Sequence, residues 1–264
     1  MFVESASKGR FEMKSQESSR DLISRHFDFY ECSYSRFYYE GVGKCGSNFY
    51  QRRIRAAIPP DSSGIVLELG SRNFELTKVV SSRINTAHLV LGLDLQAPQY
   101  GTENRDSHTE LPLRALMANV ENIPLANSTV DLVFHGCFLH HLERPLNALL
   151  EIRRVMRVGG LIIYYLPCHP GLLIRLWQRL FTQRHLTRVA RESNFPEFRP
   201  QFIEAAIHKG NYLGIRELIR MVHRNDEVKS SSFPFRIPSW NLKAFDLVVV
   251  RKCDVVAADT KSCS

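Results

Sequence analysis

The 264 residues carry 35 Lys and Arg against 27 Asp and Glu, a formal net charge of +8 with a pI near 9.3. A composition of 44% hydrophobic and 23% charged residues belongs to a globular chain, and excludes a disordered or collagen-like one. No apolar run approaches the ~20 residues that span a bilayer, and Met1–Arg20 lacks the apolar core of a secretory leader, so a soluble cytoplasmic protein is expected.

Residues 1–20, rich in Ser, Lys and Glu without an apolar period, are expected to lack fixed structure. Residues 21–60 are an aromatic cap (Phe27, Phe29, Tyr30, Tyr34, Phe37, Tyr38, Tyr39, Phe49 and Tyr50) too apolar for a linker, with a helix from Ser47 to Ala57 stopped by Pro59-Pro60. A strand–helix rhythm then begins. Gly64-Ile-Val-Leu-Glu-Leu-Gly70 reads as a buried strand and Phe74–Arg83 as a helix. His88–Asp94 is a second strand, Leu113–Ala118 a third, Val130–Phe134 a fourth and Leu161–Leu166 a fifth. Leu146–Met156 has a 3.6-residue apolar period. Strands apolar on both faces and alternating with helices predict a doubly wound, mostly parallel α/β sheet with helices on both faces. Beyond Pro170, Gly171–Arg191 reads as a basic amphipathic helix or helix pair, Tyr212–His223 as a helix, and Lys243–Arg251 as a last, antiparallel strand. The expected organisation is therefore a core over 61–170, a lid or substrate segment with the last strands over 171–252, and a flexible tail over 253–264.

Parallel open sheets bind ligands at the carboxyl ends of their strands, where strand order reverses. After the first strand, Gly70 allows a sharp turn into a helix whose free N–H groups face a ligand. Asp94, closing the second strand, is placed to accept hydrogen bonds from two ribose hydroxyls. The pair suits a nucleoside-containing cofactor, while the absence of G-x-G-x-x-G argues against a dinucleotide.

Five ordered segments carry a resemblance to a known family. These are Val66-Leu-Glu-Leu-Gly-Ser71, Leu91-Gly-Leu-Asp-Leu95, Ala118-Asn-Val-Glu-Asn-Ile-Pro-Leu-Ala-Asn-Ser-Thr-Val-Asp-Leu-Val133, Phe138-Leu-His-His-Leu142 and Leu149-Leu-Glu-Ile-Arg-Arg-Val-Met-Arg-Val-Gly-Gly160. Together, over roughly residues 61–170, they resemble the class I S-adenosylmethionine-dependent methyltransferases of the type 11 branch. The resemblance implies a Rossmann-like seven-stranded sheet and S-adenosyl-L-methionine as cofactor. It implies that Glu68 and Gly70 flank the methionine end, with Ser71 in the turn, and that Asp94 holds the ribose with Leu95 on the adenine. Asn119 and Val120 would meet the ring edge, and His135 would line the amino-acid end. The chain departs from the family at the glycine-rich turn, which reads Gly70-Ser-Arg-Asn-Phe74; Arg72 there could grip the cofactor's carboxylate.

Methyl transfer from a sulfonium is an in-line displacement, for which a protein mainly positions the acceptor and excludes water. No base-methylating [DN]-P-P-[YFW] follows the fourth strand, where Phe134-His-Gly-Cys137 stands. The six cysteines (Cys32, Cys45, Cys137, Cys168, Cys253, Cys263) form no C-x-x-C pair and no zinc-finger spacing, so no metal is expected and Cys168 is read as structural. His140-His141 is read as helix packing or capping. His169, in Pro167-Cys-His-Pro-Gly171, and His208, in Ile207-His-Lys-Gly-Asn211, are the candidate general bases or substrate contacts, against a packing role for each. Residues 1–170 hold 19 Lys and Arg against 18 acids, whereas 171–264 hold 16 against 9, so the positive charge lies in the C-terminal third. That placement points to a small-molecule acceptor that is acidic or lipid-linked, such as a sugar, nucleotide-sugar or lipid-linked glycan methylated on O or N. Peripheral contact with the inner face of a membrane is the sharper reading of Gly171–Arg188, and a lid with solvated arginines the plainer one. Two readings stand beside it: a methyltransferase fold that binds a ligand without catalysis, and an RNA methyltransferase, disfavoured for want of any nucleic-acid-binding module.

Overall fold

The computed structural model describes residues 43–71, 74–96, 111–195, 198–201, 208–234 and 239–254, together with Arg25, Phe29, Tyr30 and Ser33. Residues 1–20, most of the aromatic stretch including Tyr34, Tyr38 and Tyr39, Arg72, and the tail beyond Asp254 lie outside the described residues.

In chain order the elements are α1 (Gly43–Ala57), β1 (Gly64–Leu69), α2 (Glu75–Val80, prolonged by a 3-10 turn), β2 (Ala87–Asp94), β3 (Leu113–Met117), β4 (Val130–His135), α3 (Pro145–Val155), β5 (Met156–Pro167), α4 (Leu172–Trp177), α5 (Gln183–Glu192), α6 (Tyr212–Val222), β6 (Glu227–Phe233) and β7 (Phe245–Arg251). The strands form one sheet in the order β3-β2-β1-β4-β5-β7-β6. β1 to β5 are parallel, and β7 runs antiparallel to both its neighbours. Strand order reverses between β1 and β4, so the crevice at the carboxyl end of β1 is the topological switch point.

Alternation along the strands builds two cores. Leu67, Leu69, Leu91, Leu93, Val133 and Tyr164 face one side and pack under α3 and α6. Val66, Val90, Leu132, Phe134 and Tyr165 face the other, where Ile54 of α1, Ile58 just after it, and Leu76 and Val80 of α2 cover them. Each such fully buried side chain is worth about 1.5–3 kcal/mol. Tyr50 stacks on Tyr165 at 4.9 Å, which accounts for part of the aromatic stretch as sheet cover. β6 has no counterpart among the expected strands: Glu-Val-Lys-Ser-Ser-Ser-Phe is polar and mostly exposed, as an outermost strand can be. Other differences are at ends. α1 begins four residues before Ser47, and β5 begins at Met156, because Gly159-Gly160 continue the strand instead of preceding it.

Contacts divide the chain into two compact units, residues 48–175 with 208–264, and residues 1–47 with 176–207. The first contains the whole sheet. The second has its own small core, in which Phe29 and Tyr30 pack with Leu186, Ala190, Phe195 and Phe198. Phe29 meets Phe195 and Phe198 edge-on at 5.5 and 4.8 Å. α4 runs through a π turn, Gln178–Thr182, into α5, which confirms a long basic helical segment.

Candidate active site

The carboxyl edge of the sheet carries the predicted cofactor residues side by side. Register aligns Leu69 of β1 with Leu93 of β2 and with His135 of β4, and Asp94 with Met117 of β3. The line therefore runs from Asn119 and Val120 after β3, through Asp94 and Leu95, to Gly70 and Ser71, and on to His135 and then His169 after β5. Four strand spacings of about 4.8 Å separate its ends, roughly 19 Å.

The turn after β1 is built by close packing. Gly70 adopts φ +65°, a conformation glycine holds without strain, and is exposed at the edge. Its N–H and that of Ser71 both donate to the Leu93 carbonyl, at 2.8 and 3.3 Å, tying the turn to β2. Phe74 stands where the family's turn has a glycine. Its ring lies over Gly92, where an added Cβ would come within 2.4 Å of the ring and 2.7 Å of Ser71 Oγ. Phe74 is 2% exposed. A bare backbone at position 92 thus makes room for the aromatic ring, and the ring is buried away from the edge.

Glu68 does not face the edge. It shares the strand face of Val66, and its Oε2 accepts hydrogen bonds from Thr77 N at 3.1 Å and Thr77 Oγ1 at 2.5 Å, at the start of α2. Burial pushes its carboxyl up to about 8, only partly offset by the Thr77 bonds. Glu68 thus anchors the helix that follows the turn. His135 is buried too. Its ring is 0% exposed and packs edge-on against Phe138 at 4.7 Å and Tyr164 at 5.4 Å. Nδ1 meets the Gly136 carbonyl, Nε2 has no partner, and burial lowers the ring to about 4. It lies behind the edge, with its unpaired nitrogen in the core.

Asp94 is half-buried, and its Oδ1 accepts from Gln96 N at 3.1 Å, fixing the carboxylate at the strand end. Leu95 is 69% exposed beside it, as is Met117, a residue the sequence did not single out. The two form an apolar shelf next to a carboxylate, the chemistry an adenosine presents in reverse. Asn119 accepts from Glu121 N at 2.9 Å through Oδ1, which keeps a second lone pair on that oxygen. Val120 is buried beneath it. This loop is stapled to α3 by Arg154, which donates to the carbonyls of Leu125 and Ile123, each at 2.8 Å, and pairs with Glu151 at 2.7 Å. Glu151 in turn accepts from Ile123 N at 2.8 Å, and the Arg154 bond holds its carboxyl below the ordinary range.

At the other end of the line four histidines gather. The 3-10 turn after β4 supplies His140 and His141, the end of β5 supplies His169, and the chain returning before α6 supplies His208. The rings of His169 and His208 are 4.6 Å apart, and His208 lies 4.8 Å from His140 and 5.1 Å from His141. Burial, followed by mutual repulsion, lowers His208 to about 3, His169 to about 4 and His140 well below its usual value. All three are neutral at neutral pH. Cys168 is 0% exposed, and burial pushes its thiol up to about 12, as expected of a structural cysteine. Behind the histidines, Asp246 is buried with the Tyr212 hydroxyl on it and Lys243 Nζ at 3.7 Å.

The residues present fit S-adenosylmethionine. The open Gly70 turn, the fixed Asp94 carboxylate, the Leu95–Met117 shelf and the Asn119 amide match its parts in order, along one edge.

Comparison with known proteins agrees with this geometry. Residues 67–164 match the family model described as a methyltransferase domain. The chain is 27% identical over 113 residues to a malonyl-acyl-carrier-protein O-methyltransferase of Marinomonas sp., covering 42% of this chain and 41% of that one. It is 26% identical over 139 residues to a demethylmenaquinone methyltransferase of Lactiplantibacillus plantarum, covering 51% and 59%. The matched part thus spans about half the length of these curated relatives. A solved SAM-dependent methyltransferase from Thermotoga maritima shares the fold, with a TM-score of 0.53 at 15% identity, over 86% of this chain and 99% of that one. The stretch from β1 to β5 is thus similar to a methyltransferase domain.

Proposed function

We propose that the chain is an enzyme that moves a methyl group from S-adenosylmethionine to an oxygen or nitrogen atom of a small-molecule acceptor. The observation that carries this reading is the uninterrupted line from Asn119 to His169 along one sheet edge, with nucleoside-binding chemistry at one end and imidazole nitrogens at the other. The cofactor supplies an electrophilic methyl group when bound; the protein holds it and aims the acceptor. Asp94 and Asn119 would fix the adenosine, and Gly70 and Ser71 would present backbone to the amino-acid portion. Arg72, expected to grip the carboxylate, belongs to the same proposal. His208 and His169 would orient the acceptor or receive its proton.

An acidic acceptor, free or lipid-linked, is favoured by the second unit. There a groove of about 440 Å³ is lined by Arg179, Arg184, Arg188 and Arg191 along α5 and the turn before it. Among the described residues no helix is long and apolar enough to cross a membrane.

Calorimetric titration with S-adenosylhomocysteine tests the cofactor half. Saturable binding is expected, with Asp94→Ala weakening it about 10–100-fold, the value of hydrogen bonds to a charged acceptor. No heat up to millimolar ligand would defeat the reading. Tight binding without turnover on acidic sugar, nucleotide-sugar, lipid-linked and RNA acceptors would leave a ligand-binding fold without catalysis.

A further inference from the structure

The histidines at the acceptor end hold a second kind of information, because their geometry exceeds what packing or proton transfer requires. His140, His141 and His208 each present one ring nitrogen, and the three lie within 4.8 Å of one another. Around a Zn²⁺ bound at about 2.1 Å, three nitrogens in tetrahedral array stand about 3.4 Å apart. The ligand atoms are therefore at most about 1.4 Å farther apart than a zinc site requires.

The backbone beneath the rings is already fixed. The His140 carbonyl accepts from both Lys209 N and Gly210 N, each at 2.9 Å, which pins the His208 segment against the 3-10 turn. Tyr212 N donates to the His169 carbonyl at 2.9 Å, pinning the same segment to the end of β5. Asn211 then caps α6 by accepting from Gly214 N at 2.8 Å. Three chain segments are thereby locked at one point, all within the sheet-bearing unit.

One member is left wanting a partner. His140 is 4% exposed, and its Nδ1 is a buried polar atom without a hydrogen bond. An orphaned buried polar atom costs about 1–3 kcal/mol, so it marks a place where something is to be bound. The neighbouring charges are quiet: Lys209 Nζ is held by Glu143, and among the described residues no carboxylate joins the three rings. Neutral imidazoles with no carboxylate suit a borderline divalent transition metal, and are a poor match for Mg²⁺ or Ca²⁺.

We propose that His140, His141 and His208 form a three-histidine site for a divalent transition metal of the Zn²⁺ class, with an open position facing the acceptor end of the sheet. His169, whose ring is 4.6 Å from His208 and 6.0 Å from His140, closes the side of the site toward β5. Three protein ligands leave a fourth position for water or for an oxygen of a bound small molecule, the arrangement of open zinc sites. With the metal bound, His208 is a ligand and His169 is the histidine left to receive a proton from the acceptor; the metal site itself needs no cofactor, so it stands or falls apart from methyl transfer.

The test uses the full chain, stripped by a chelator and titrated with Zn²⁺ by calorimetry and with Co²⁺ by visible absorption. One metal per chain is expected, with sub-micromolar Zn²⁺ affinity and Co²⁺ d–d bands without a thiolate charge-transfer band. His141→Ala and His208→Ala should each weaken Zn²⁺ roughly 10–100-fold or more, whereas His88→Ala, at an exposed histidine of β2, should not. Circular dichroism reports whether each variant is folded, and His141→Asn and His208→Gln provide milder replacements where alanine is not tolerated. Zn²⁺ binding no tighter than about 100 µM, a thiolate band, or unchanged affinity in folded variants at both positions would overturn the proposal.

Discussion

Replacing Glu68 by Gln should change the pH dependence of folding, because this carboxyl is held protonated in the folded chain and is ionised in the unfolded one. Glu68 is 3% exposed, and burial moves its pKa from 4.5 to about 8. Between these two values the folded state binds a proton that the unfolded state releases. The stabilisation linked to this group is thus fully present below about pH 4.5, falls as pH rises, and is gone above about pH 8. At about 1.4 kcal/mol per pH unit, the span corresponds to at most about 5 kcal/mol. Gln keeps an oxygen for the Thr77 N–H and hydroxyl, and carries no charge to desolvate. Urea melts of both proteins at pH 5, 7 and 9 measure the effect. Glu68→Gln should match the parent near pH 5 and exceed it by several kcal/mol at pH 9, with affinity for S-adenosylhomocysteine little changed. A stability difference that is flat across this range, or of opposite sign, would refute the assignment of Glu68 as a buried, protonated anchor of α2.

Other outcomes follow from neighbouring contacts. Arg154→Met removes the staple between α3 and the Asn119–Asn127 loop; it should cost about 2–3 kcal/mol in urea melts and weaken S-adenosylhomocysteine, and Arg154→Lys should not restore either, because an ammonium cannot reproduce the planar fork. Tyr164→Phe leaves His223 Nε2, which now meets the Tyr164 hydroxyl at 2.8 Å, without a partner in the core. A loss of about 1–3 kcal/mol by thermal or chemical denaturation is expected. Gly92→Ala drives a Cβ to 2.4 Å from the Phe74 ring and should cost about 1–3 kcal/mol. Combining it with Phe74→Leu should recover part of that loss, a non-additivity read from a double-mutant cycle.

The sheet was legible in the sequence wherever burial on both faces left its mark. Gly64–Leu69, Ala87–Asp94 and Val130–His135 are nearly continuous apolar runs, and each falls within two residues of its expected bounds. β6 escaped because an outer strand pays no penalty for serines and charges, so no apolar signal existed to find. The positions of Asp94, Leu95, Gly70 and Asn119 followed from motifs at strand ends, which topology then brought to one edge. The side-chain directions of Glu68 and His135 did not. Strand parity alone turns Glu68 to the face of Val66, and parity with packing carries His135 into the core beside Tyr164. The histidine cluster was invisible for a different reason. His141, His169 and His208 are 28 and 39 residues apart in sequence, so no spacing announces them; only backbone bonds between their segments bring them together.

The polar make-up of β6 has a consequence for how the molecule behaves among copies of itself. Among the described residues no strand pairs its outer rim, and in an apolar strand such a rim would template the addition of another chain. The exposed Glu227, Lys229 and Ser230 keep that strand polar, and Lys229 pairs with Glu227 at 2.7 Å. The same poverty of apolar residues that hid this strand from its sequence guards a concentrated solution against edge-to-edge aggregation.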